Sequence, residues 1–223
     1  MTSDQGENGS AAALQPLRIG DVVPRFVARS TQGPFDLDDY RGQWLILFSH
    51  PADFTPVCTS EVVALACAAG DFAALGCRLV GLSVDSLYSH LAWIRLIRDS
   101  IGVTVPFPIV EDPTMEIARA YGMVGSDAHD SATVRMTYFI DPDGVIQATN
   151  SYPLTVGRSI PELLRILTAL REVRDGSGLA PADWQPGAPL LRQPDETAEA
   201  ALACGDPVGW FHAPLGAADG GQV

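Results

Sequence analysis

The sequence of 223 residues contains no lysine, so its 14 basic residues are all arginines. That absence excludes a lysine nucleophile and Schiff-base chemistry. Positive charge is also scarce: 27 acidic residues give a net charge of −13, which argues against nucleic acid or an anionic membrane as the main partner. We therefore expect a protein that binds neither nucleic acid nor membranes.

Targeting segments are missing as well. Residues 1–16 are small or polar and lack the basic start and apolar run of a secretory signal, which predicts a flexible N-terminal tail. No uninterrupted apolar run approaches the roughly 20 residues that a transmembrane helix needs. We therefore expect a cytoplasmic protein in a compartment that keeps thiols reduced, where its four cysteines are reactive or buried rather than a structural disulfide set.

Strand and helix signals alternate along the chain, which predicts an α/β protein. The predicted strands are 25–30, 34–37, 44–49, 77–84, 107–110, 134–141 and 145–151, and the predicted helices are 56–75, 87–101, 112–121 and 160–173. A βαβ start with a hairpin and a helix at the end is typical of the thioredoxin-like fold, with a mixed central sheet and helices on both faces. We expect this domain over residues 17–175.

From residue 176 onward glycine and proline become frequent, so this stretch is not expected to form a core of its own. We interpret 176–223 as a C-terminal arm that packs against a partner surface.

The most informative residue is Cys58. The strand at 44–49 leads into a loop, Thr55 is a good N-cap for the next helix, and Pro56 suits its first position. Cys58 then lies in the first helical turn, where unpaired backbone N–H groups and the helix dipole favour an anion, so its thiol should ionise more readily than a free one. The alternative is a buried structural cysteine. A disulfide-exchange motif is excluded, because Glu61 stands where Cys-x-x-Cys needs its second cysteine.

Pro51, Thr55 and Cys58 fit the Pro-x-x-x-Thr-x-x-Cys motif of the peroxiredoxins. The longer string Phe48–Thr59 resembles the 1-Cys type of the AhpC/TSA peroxiredoxin superfamily in particular. Further matches follow in the family's order over about residues 17 to 194: Ser83–Ser86, His90–Trp93, Arg135 before Tyr138–Asp141, Tyr152–Pro153, Gly157–Arg158 and Pro181–Trp184.

The resemblance implies a thiol-specific peroxidase that reduces hydrogen peroxide and organic hydroperoxides through a cysteine sulfenic acid, which an unidentified thiol reductant restores. Cys58 would be the peroxidatic nucleophile, Arg135 and Thr55 would bind the peroxide, and Pro51 would shape and shield the pocket. Without the resemblance, Arg135 could equally be a surface arginine on an edge strand and Pro51 an ordinary loop proline.

Three further residues are candidates for tuning the site. His50 ends the strand near the thiol, with a structural histidine as the alternative. Glu61 lies one turn beyond Cys58, where it could orient an arginine. Arg158 matches a family position near the thiolate, with an interface salt bridge as the alternative. No Cys/His spacing suggests a metal site, and no metal, haem or flavin cofactor is implied.

Cys204 departs from a strict one-cysteine pattern. It lies in the arm shortly before Trp210 and Phe211, and bacterial and archaeal relatives of the subgroup often carry a cysteine in a similar arm. It is a candidate resolving cysteine that attacks the sulfenic acid of the second subunit, with an incidental thiol as the alternative.

The resemblance implies a homodimer in which the arm at 176–223 is the dimerisation region and packs on the second subunit, with a larger ring as an open alternative. The competing function is a redox-switched chaperone or peroxide sensor. Lipid hydrolysis, an extra activity of some 1-Cys members, is not expected, because Arg41–Leu45 lacks the serine that this activity needs.

Overall fold

The computed structural model describes residues 17–124 and 133–216, so the predicted tail at 1–16 lies outside the described residues. The described strands are β1 (Val27–Ser30), β2 (Gly33–Asp36), β3 (Trp44–Ser49), β4 (Cys77–Ser83), β5 (Ile109–Glu111), β6 (Arg135–Ile140) and β7 (Ile146–Tyr152). The helices are α1 (Pro56–Ala74), α2 (Leu87–Ile101), α3 (Glu116–Ala120), α4 (Ile160–Glu172) and α5 (Ala198–Ala203).

The seven strands form one sheet in the order β2-β1-β5-β4-β3-β6-β7. Strands β3, β4 and β5 are mutually parallel, whereas β6 runs antiparallel to β3 and to β7. The mixed sheet that the alternating pattern predicts is thereby confirmed. All six residues of β3 are buried, as expected for a strand with neighbours on both sides in the middle of a sheet.

This topology determines where the functional loop lies. The carboxyl end of β3 leads through residues 50–55 into α1. Because β6 is antiparallel to β3, its first residue, Arg135, lies at that same end of the sheet. Strand β6 has neighbours on both sides, so Arg135 does not lie on an edge strand.

Local signals place several boundaries correctly. Ser86 accepts a hydrogen bond from the backbone N–H of Ser89, and Gly102 ends α2 with a φ of 81°, as its cap sequence predicts. Helix α3 is shorter than predicted. The carboxylate of Asp112 accepts the N–H of Ala118, and Met115 has a positive φ of 60°, so the helix begins at Glu116 rather than at residue 112.

Helix α1 has 19 residues and a mean hydropathy of 1.5, so its length and composition alone would allow a membrane span. Glu61 and Asp71 interrupt its apolar sequence. Its side chains Val62, Leu65 and Phe72 are fully buried in the protein, and the helix packs against β4. A helix covering a sheet core passes the same test of composition, so α1 is weak evidence for a membrane.

The chain divides into two compact units, and the boundary along the chain lies between Arg158 and Ser159. The second unit begins with α4, which the composition had placed before the boundary at residue 176. Within this unit Leu191 pairs with Leu179 and with Pro214. Trp184 is buried and donates its indole N–H to the carbonyl of Ala188. The proline-rich arm is therefore held by short bridges and one buried indole.

Two glycines provide a matched stability test. An added Cβ meets no atom within 4 Å at either Gly70 or Gly102, but Gly102 has a φ of 81° and Gly70 lies inside α1. We expect Gly102→Ala to lower the free energy of unfolding by about 1 kcal/mol and Gly70→Ala to raise it by about 0.5–1 kcal/mol. Urea unfolding measures both, and equal shifts in one direction would contradict this account.

Candidate active site

Cys58 lies where the sequence predicts it. Pro56 is the first residue of α1, so Cys58 occupies the third position of the helix, and its side chain is fully buried. The first backbone bond of the helix runs from Thr59 N–H to the carbonyl of Thr55. The thiol is therefore buried in the first turn, near the end of the helix that favours negative charge.

Thr55 occupies the N-cap position, but its side chain does not cap the helix. The hydroxyl instead donates to the carbonyl of Ala52 at 2.9 Å. The predicted N-cap position is thus confirmed, but the cap hydrogen bond is not formed. Preceding it, Phe54 has a positive φ of 58° and a half-exposed side chain. The remaining lone pairs of the Thr55 hydroxyl can accept hydrogen bonds from a ligand.

Arg135 contacts the thiol directly. Its Nη1 lies 3.3 Å from Cys58 Sγ and 2.7 Å from Glu61 Oε2, while its Nε and Nη2 donate to the carbonyl of Leu154. The arginine side chain is only 2% exposed. Four hydrogen bonds, one of them to the Cys58 sulfur, therefore fix the orientation of this permanently charged guanidinium.

Glu61 joins this arginine to a second one. Its two carboxylate oxygens accept the Nε, the Nη2 and the backbone N–H of Arg158, each at 2.8 Å. Burial alone would raise the pKa of Glu61, but Arg158 and, less strongly, Arg135 hold it below its usual value. Arg158 also donates to Thr137 and lies 5.1 Å from the centre of the Phe48 ring.

His50 belongs to a buried cluster that the sequence analysis did not foresee. Its Nε2 lies 2.8 Å from Asp53 Oδ1, and the Nδ1 of His90 lies 2.7 Å from Asp53 Oδ2. All three residues are buried. The three-residue spacing of His50 and Asp53 could have suggested the first contact, whereas His90, on α2, is brought there by the fold.

The charges of this cluster follow from its contacts. Burial would raise the pKa of Asp53, but hydrogen bonds from the two imidazoles outweigh it and hold that pKa well below its usual value. Burial lowers the pKa of His50, although Asp53 opposes this. The three side chains have ligand atoms within 4.8 Å of one another, close enough for a metal ion. Their separations of 2.7–2.8 Å are those of hydrogen bonds, shorter than the roughly 3.3 Å between two ligands of a tetrahedral metal with bonds near 2 Å.

The structure joins four of the residues singled out from the sequence by hydrogen bonds: Cys58, Arg135, Glu61 and Arg158. His50, Pro51 and Thr55 lie in the stretch between β3 and α1, where Pro51 is buried. Cys204 ends α5 in the second unit and is half-buried, so its role as a resolving cysteine stays a prediction.

A family model for the AhpC/TSA family matches residues 19–149. The chain belongs to this family. Peroxiredoxin 2 of Caldanaerobacter subterraneus subsp. tengcongensis is 46% identical over 180 residues, which cover 81% of each chain. Relatives of this kind make the chain a peroxiredoxin, a thiol-dependent peroxidase that uses a peroxide and a thiol reductant.

Solved structures agree on the fold. Peroxiredoxin 6 of Arenicola marina, crystallised as a cysteine-to-serine mutant, is 37% identical with a TM-score of 0.76 and covers 83% of this chain and 87% of its own. A yeast mitochondrial 1-Cys peroxiredoxin is 36% identical with a TM-score of 0.79 and covers 89% and 99%. The predicted thioredoxin-like fold is confirmed, and the neighbours are consistent with the 1-Cys type of peroxiredoxin.

The buried carboxylate provides the prediction of this section. Glu61→Gln keeps the shape but removes the counter-charge of Arg135 and Arg158, so we expect the free energy of unfolding to fall by about 3–5 kcal/mol in urea titrations. Glu162→Gln is the matched control. Its carboxylate pairs with Arg165 near the surface at 38% exposure, and its loss should cost less than about 1 kcal/mol. Equal losses in the two variants would contradict the stabilising role of the buried Glu61 carboxylate.

Proposed function

We propose that Cys58 is the peroxidatic nucleophile of this peroxiredoxin. The observation that carries the proposal is the 3.3 Å contact between Arg135 Nη1 and Cys58 Sγ at the start of α1. A fixed cation favours the thiolate, which is the reactive form of the side chain. The sulfur attacks one peroxide oxygen, the O–O bond breaks, and the products are a sulfenic acid and water or an alcohol.

Arg135 and Thr55 would hold the peroxide. The guanidinium can stabilise the negative charge that develops on the leaving oxygen. The Thr55 hydroxyl donates a hydrogen bond to the Ala52 carbonyl, so it would accept a hydrogen bond from the O–H of the incoming hydroperoxide. Pro51 is buried, contributes no hydrogen-bond donor, and would shape and shield the pocket. The substrates would be hydrogen peroxide and small organic hydroperoxides.

Glu61 and Arg158 would act one step further out. Glu61 accepts hydrogen bonds from both guanidiniums and so would orient Arg135 toward the sulfur, while Arg158 balances the charge of the carboxylate. His50 would tune the same pocket from the end of β3. We therefore propose these three as supports of the reaction rather than as groups that bind peroxide.

We further propose a cytoplasmic homodimer in which Cys204 can serve as resolving cysteine. Within the described residues, 17–124 and 133–216, strand β7 lies at one end of the sheet, and a strand edge without a neighbour is a template for pairing with a second copy. The yeast neighbour is described as resolving its thiol through glutathione/thioredoxin systems, so a small or protein thiol is the reductant that we propose here. A larger ring is the alternative assembly.

The redox-switched chaperone or sensor is the second candidate, and the relatives do not favour it. The two functions differ in turnover. A peroxidase consumes many equivalents of peroxide when a thiol donor such as dithiothreitol is present, whereas a sensor is oxidised once and stays oxidised.

Two substitutions test the catalytic assignment. Cys58→Ser should abolish peroxide consumption with the fold intact, because the hydroxyl is a far weaker nucleophile. Arg135→Ala should lower the second-order rate with peroxide by about 10²-fold or more and move alkylation of Cys58 to higher pH. Stopped-flow fluorescence and iodoacetamide titration measure these effects.

Arg78→Ala is the matched control, because Arg78 is an exposed arginine of β4 that bonds to Gln43. It should react as the wild type does. A normal rate in Cys58→Ser would refute the nucleophile, and normal kinetics in Arg135→Ala would remove that arginine from the transition state.

Cys204 is tested on a non-reducing gel after one equivalent of peroxide. We expect a covalent dimer that disappears in Cys204→Ser and persists in Cys67→Ser. Cys67→Ser is the control, because it removes a different exposed thiol, on α1. Cys67 cannot bridge to Cys58 in its own chain, since nine residues of continuous helix separate their Cα atoms by about 13 Å along the axis. Monomer bands with Cys58 over-oxidised to sulfinic acid would show a one-cysteine enzyme.

A further inference from the structure

Strands β3 and β6 stop pairing just before the residue that contacts the thiol. Their last paired residues are Phe48 and Thr137, so the first two residues of β6, Arg135 and Met136, lie beyond the ladder that joins the two strands. Strand β7 pairs with Arg135 on the other side. Contacts other than the β3–β6 ladder must therefore hold this end of β6 against β3, where the guanidinium meets Cys58 Sγ.

The hydroxyl of Ser49 makes such a contact. Ser49 is the last residue of β3 and is fully buried. Its Oγ donates to the carbonyl of Val134 at 2.6 Å and accepts the backbone N–H of Met136 at 3.1 Å. These two residues are the immediate neighbours of Arg135 along the chain. One hydroxyl thus binds the main chain on both sides of the arginine.

The backbone at Arg135 is bent between these two contacts. The N–H of Met136 also donates to the carbonyl of Val134 at 2.9 Å, which closes a three-residue γ-turn with Arg135 at its centre. The φ of Arg135 is not positive, so the turn is of the inverse type, which is common at strand ends. The Ser49 hydroxyl bonds to both the donor and the acceptor of this turn and so braces it.

The position of this turn matters because the backbone of Arg135 carries its guanidinium to the sulfur. Nη1 lies 3.3 Å from Cys58 Sγ and 2.7 Å from Glu61 Oε2. A displacement of about 1 Å in an active site can lower a rate by about 10²-fold. Without the Ser49 hydroxyl, the two ends of the turn retain each other as partners but lose a contact that holds the turn against β3.

Neighbouring side chains bind the same junction. The hydroxyl of Thr133 donates to the carbonyl of His50 at 2.9 Å, and Nη1 of Arg158 donates to the carbonyl of Met136 at 3.2 Å. Side chains therefore replace main-chain pairing where the two strands separate. Ser49 differs from these two residues because, in the described contacts, its one hydroxyl binds the main chain both before and after the arginine.

We propose that Ser49 is a positioning residue for the peroxidase reaction, whose hydroxyl fixes the γ-turn at Arg135 and so places the guanidinium beside the Cys58 sulfur. The inference rests on the proposed roles of Cys58 and Arg135. Ser49 acts through the arginine, and no proton or electron moves to or from it during the reaction.

Ser49→Ala removes the hydroxyl and leaves a side chain that fits the same space. We expect the second-order rate of Cys58 oxidation by hydrogen peroxide to fall at least about tenfold. Alkylation of Cys58 by iodoacetamide should move to higher pH, because a displaced guanidinium stabilises the thiolate less. Stopped-flow fluorescence and alkylation at a series of pH values measure these effects. A wild-type rate with a wild-type alkylation profile would overturn the proposal.

Ser30→Ala is the matched control. Ser30 is also buried, and its hydroxyl likewise donates to one carbonyl, that of Gly33 at 2.9 Å, and accepts one backbone N–H, that of Gln32 at 3.2 Å. It ends β1, which β5 and β4 separate from β3. We expect urea unfolding to show comparable losses of stability in the two variants, and peroxide kinetics to show a loss in Ser49→Ala alone. Equal losses of rate would indicate general loosening, and the proposal would fall.

Hydrogen exchange in the wild-type protein tests the brace without any substitution. The N–H of Met136 has two acceptors although it lies beyond the β3–β6 ladder. We expect NMR to show it protected from exchange to an extent comparable with the N–H of Tyr138, which is paired with Leu47 inside that ladder. Exchange of the Met136 N–H at the rate of an unstructured amide would contradict the braced turn.

A double-mutant cycle separates this inference from the proposed function. If Ser49 acts through Arg135, then Ser49→Ala should cost nothing further in the Arg135→Ala background. Additive losses would refute the link between the two residues. Wild-type kinetics in Ser49→Ala, with Arg135→Ala slow and Cys58→Ser inactive, would overturn the role of Ser49 and leave the proposed function intact.

Discussion

The carboxylate of Glu61 is the contact on which the rest of the site depends. It is buried, and burial of a lone carboxylate would be costly. Two guanidiniums offset that cost, that of Arg158 with two hydrogen bonds and that of Arg135 with one, and the backbone N–H of Arg158 adds a fourth. Nη1 of Arg135 donates to both Glu61 and the Cys58 sulfur. Glu61, one helical turn beyond Cys58, therefore helps to orient the cation at the thiol. Helix α1 thus carries both the proposed nucleophile and a carboxylate that helps to orient the cation beside it.

The sequence predicts what is encoded by neighbouring residues. Pro56 at the helix start, Ser86 and Gly102 around α2, and the apolar strand at 44–49 are all read from a few adjacent positions, and the structure agrees with each. Cys58 itself could be placed in the first turn in this way. Thr55 shows the limit of such reasoning: it occupies the N-cap position, but its hydroxyl accepts no hydrogen bond from the first turn and donates to the carbonyl of Ala52 instead.

Contacts between distant segments could not be derived from local pattern. Arg135 and Arg158 reach Glu61 across 74 and 97 residues, and His90 reaches Asp53 across 37. The arginines were expected at the site because the sequence resembles the peroxiredoxins, whereas periodicity alone left Arg135 open as a surface residue. His90 and Asp53 lie in stretches that resemble the family, but neither the resemblance nor a local pattern assigned them a contact with each other. Their pairing depends on α2 and the loop after β3 meeting at one end of the sheet.

The hydrogen bond from Thr55 to the Ala52 carbonyl has a consequence for recognition. A hydroxyl whose hydrogen is already donated can only accept from a ligand, so the proposed peroxide site favours a molecule with an O–H group of its own. Hydrogen peroxide and alkyl hydroperoxides satisfy that demand, and a dialkyl peroxide does not. Two molecules with the same O–O bond would therefore bind differently, depending on whether one of the oxygens carries a hydrogen atom.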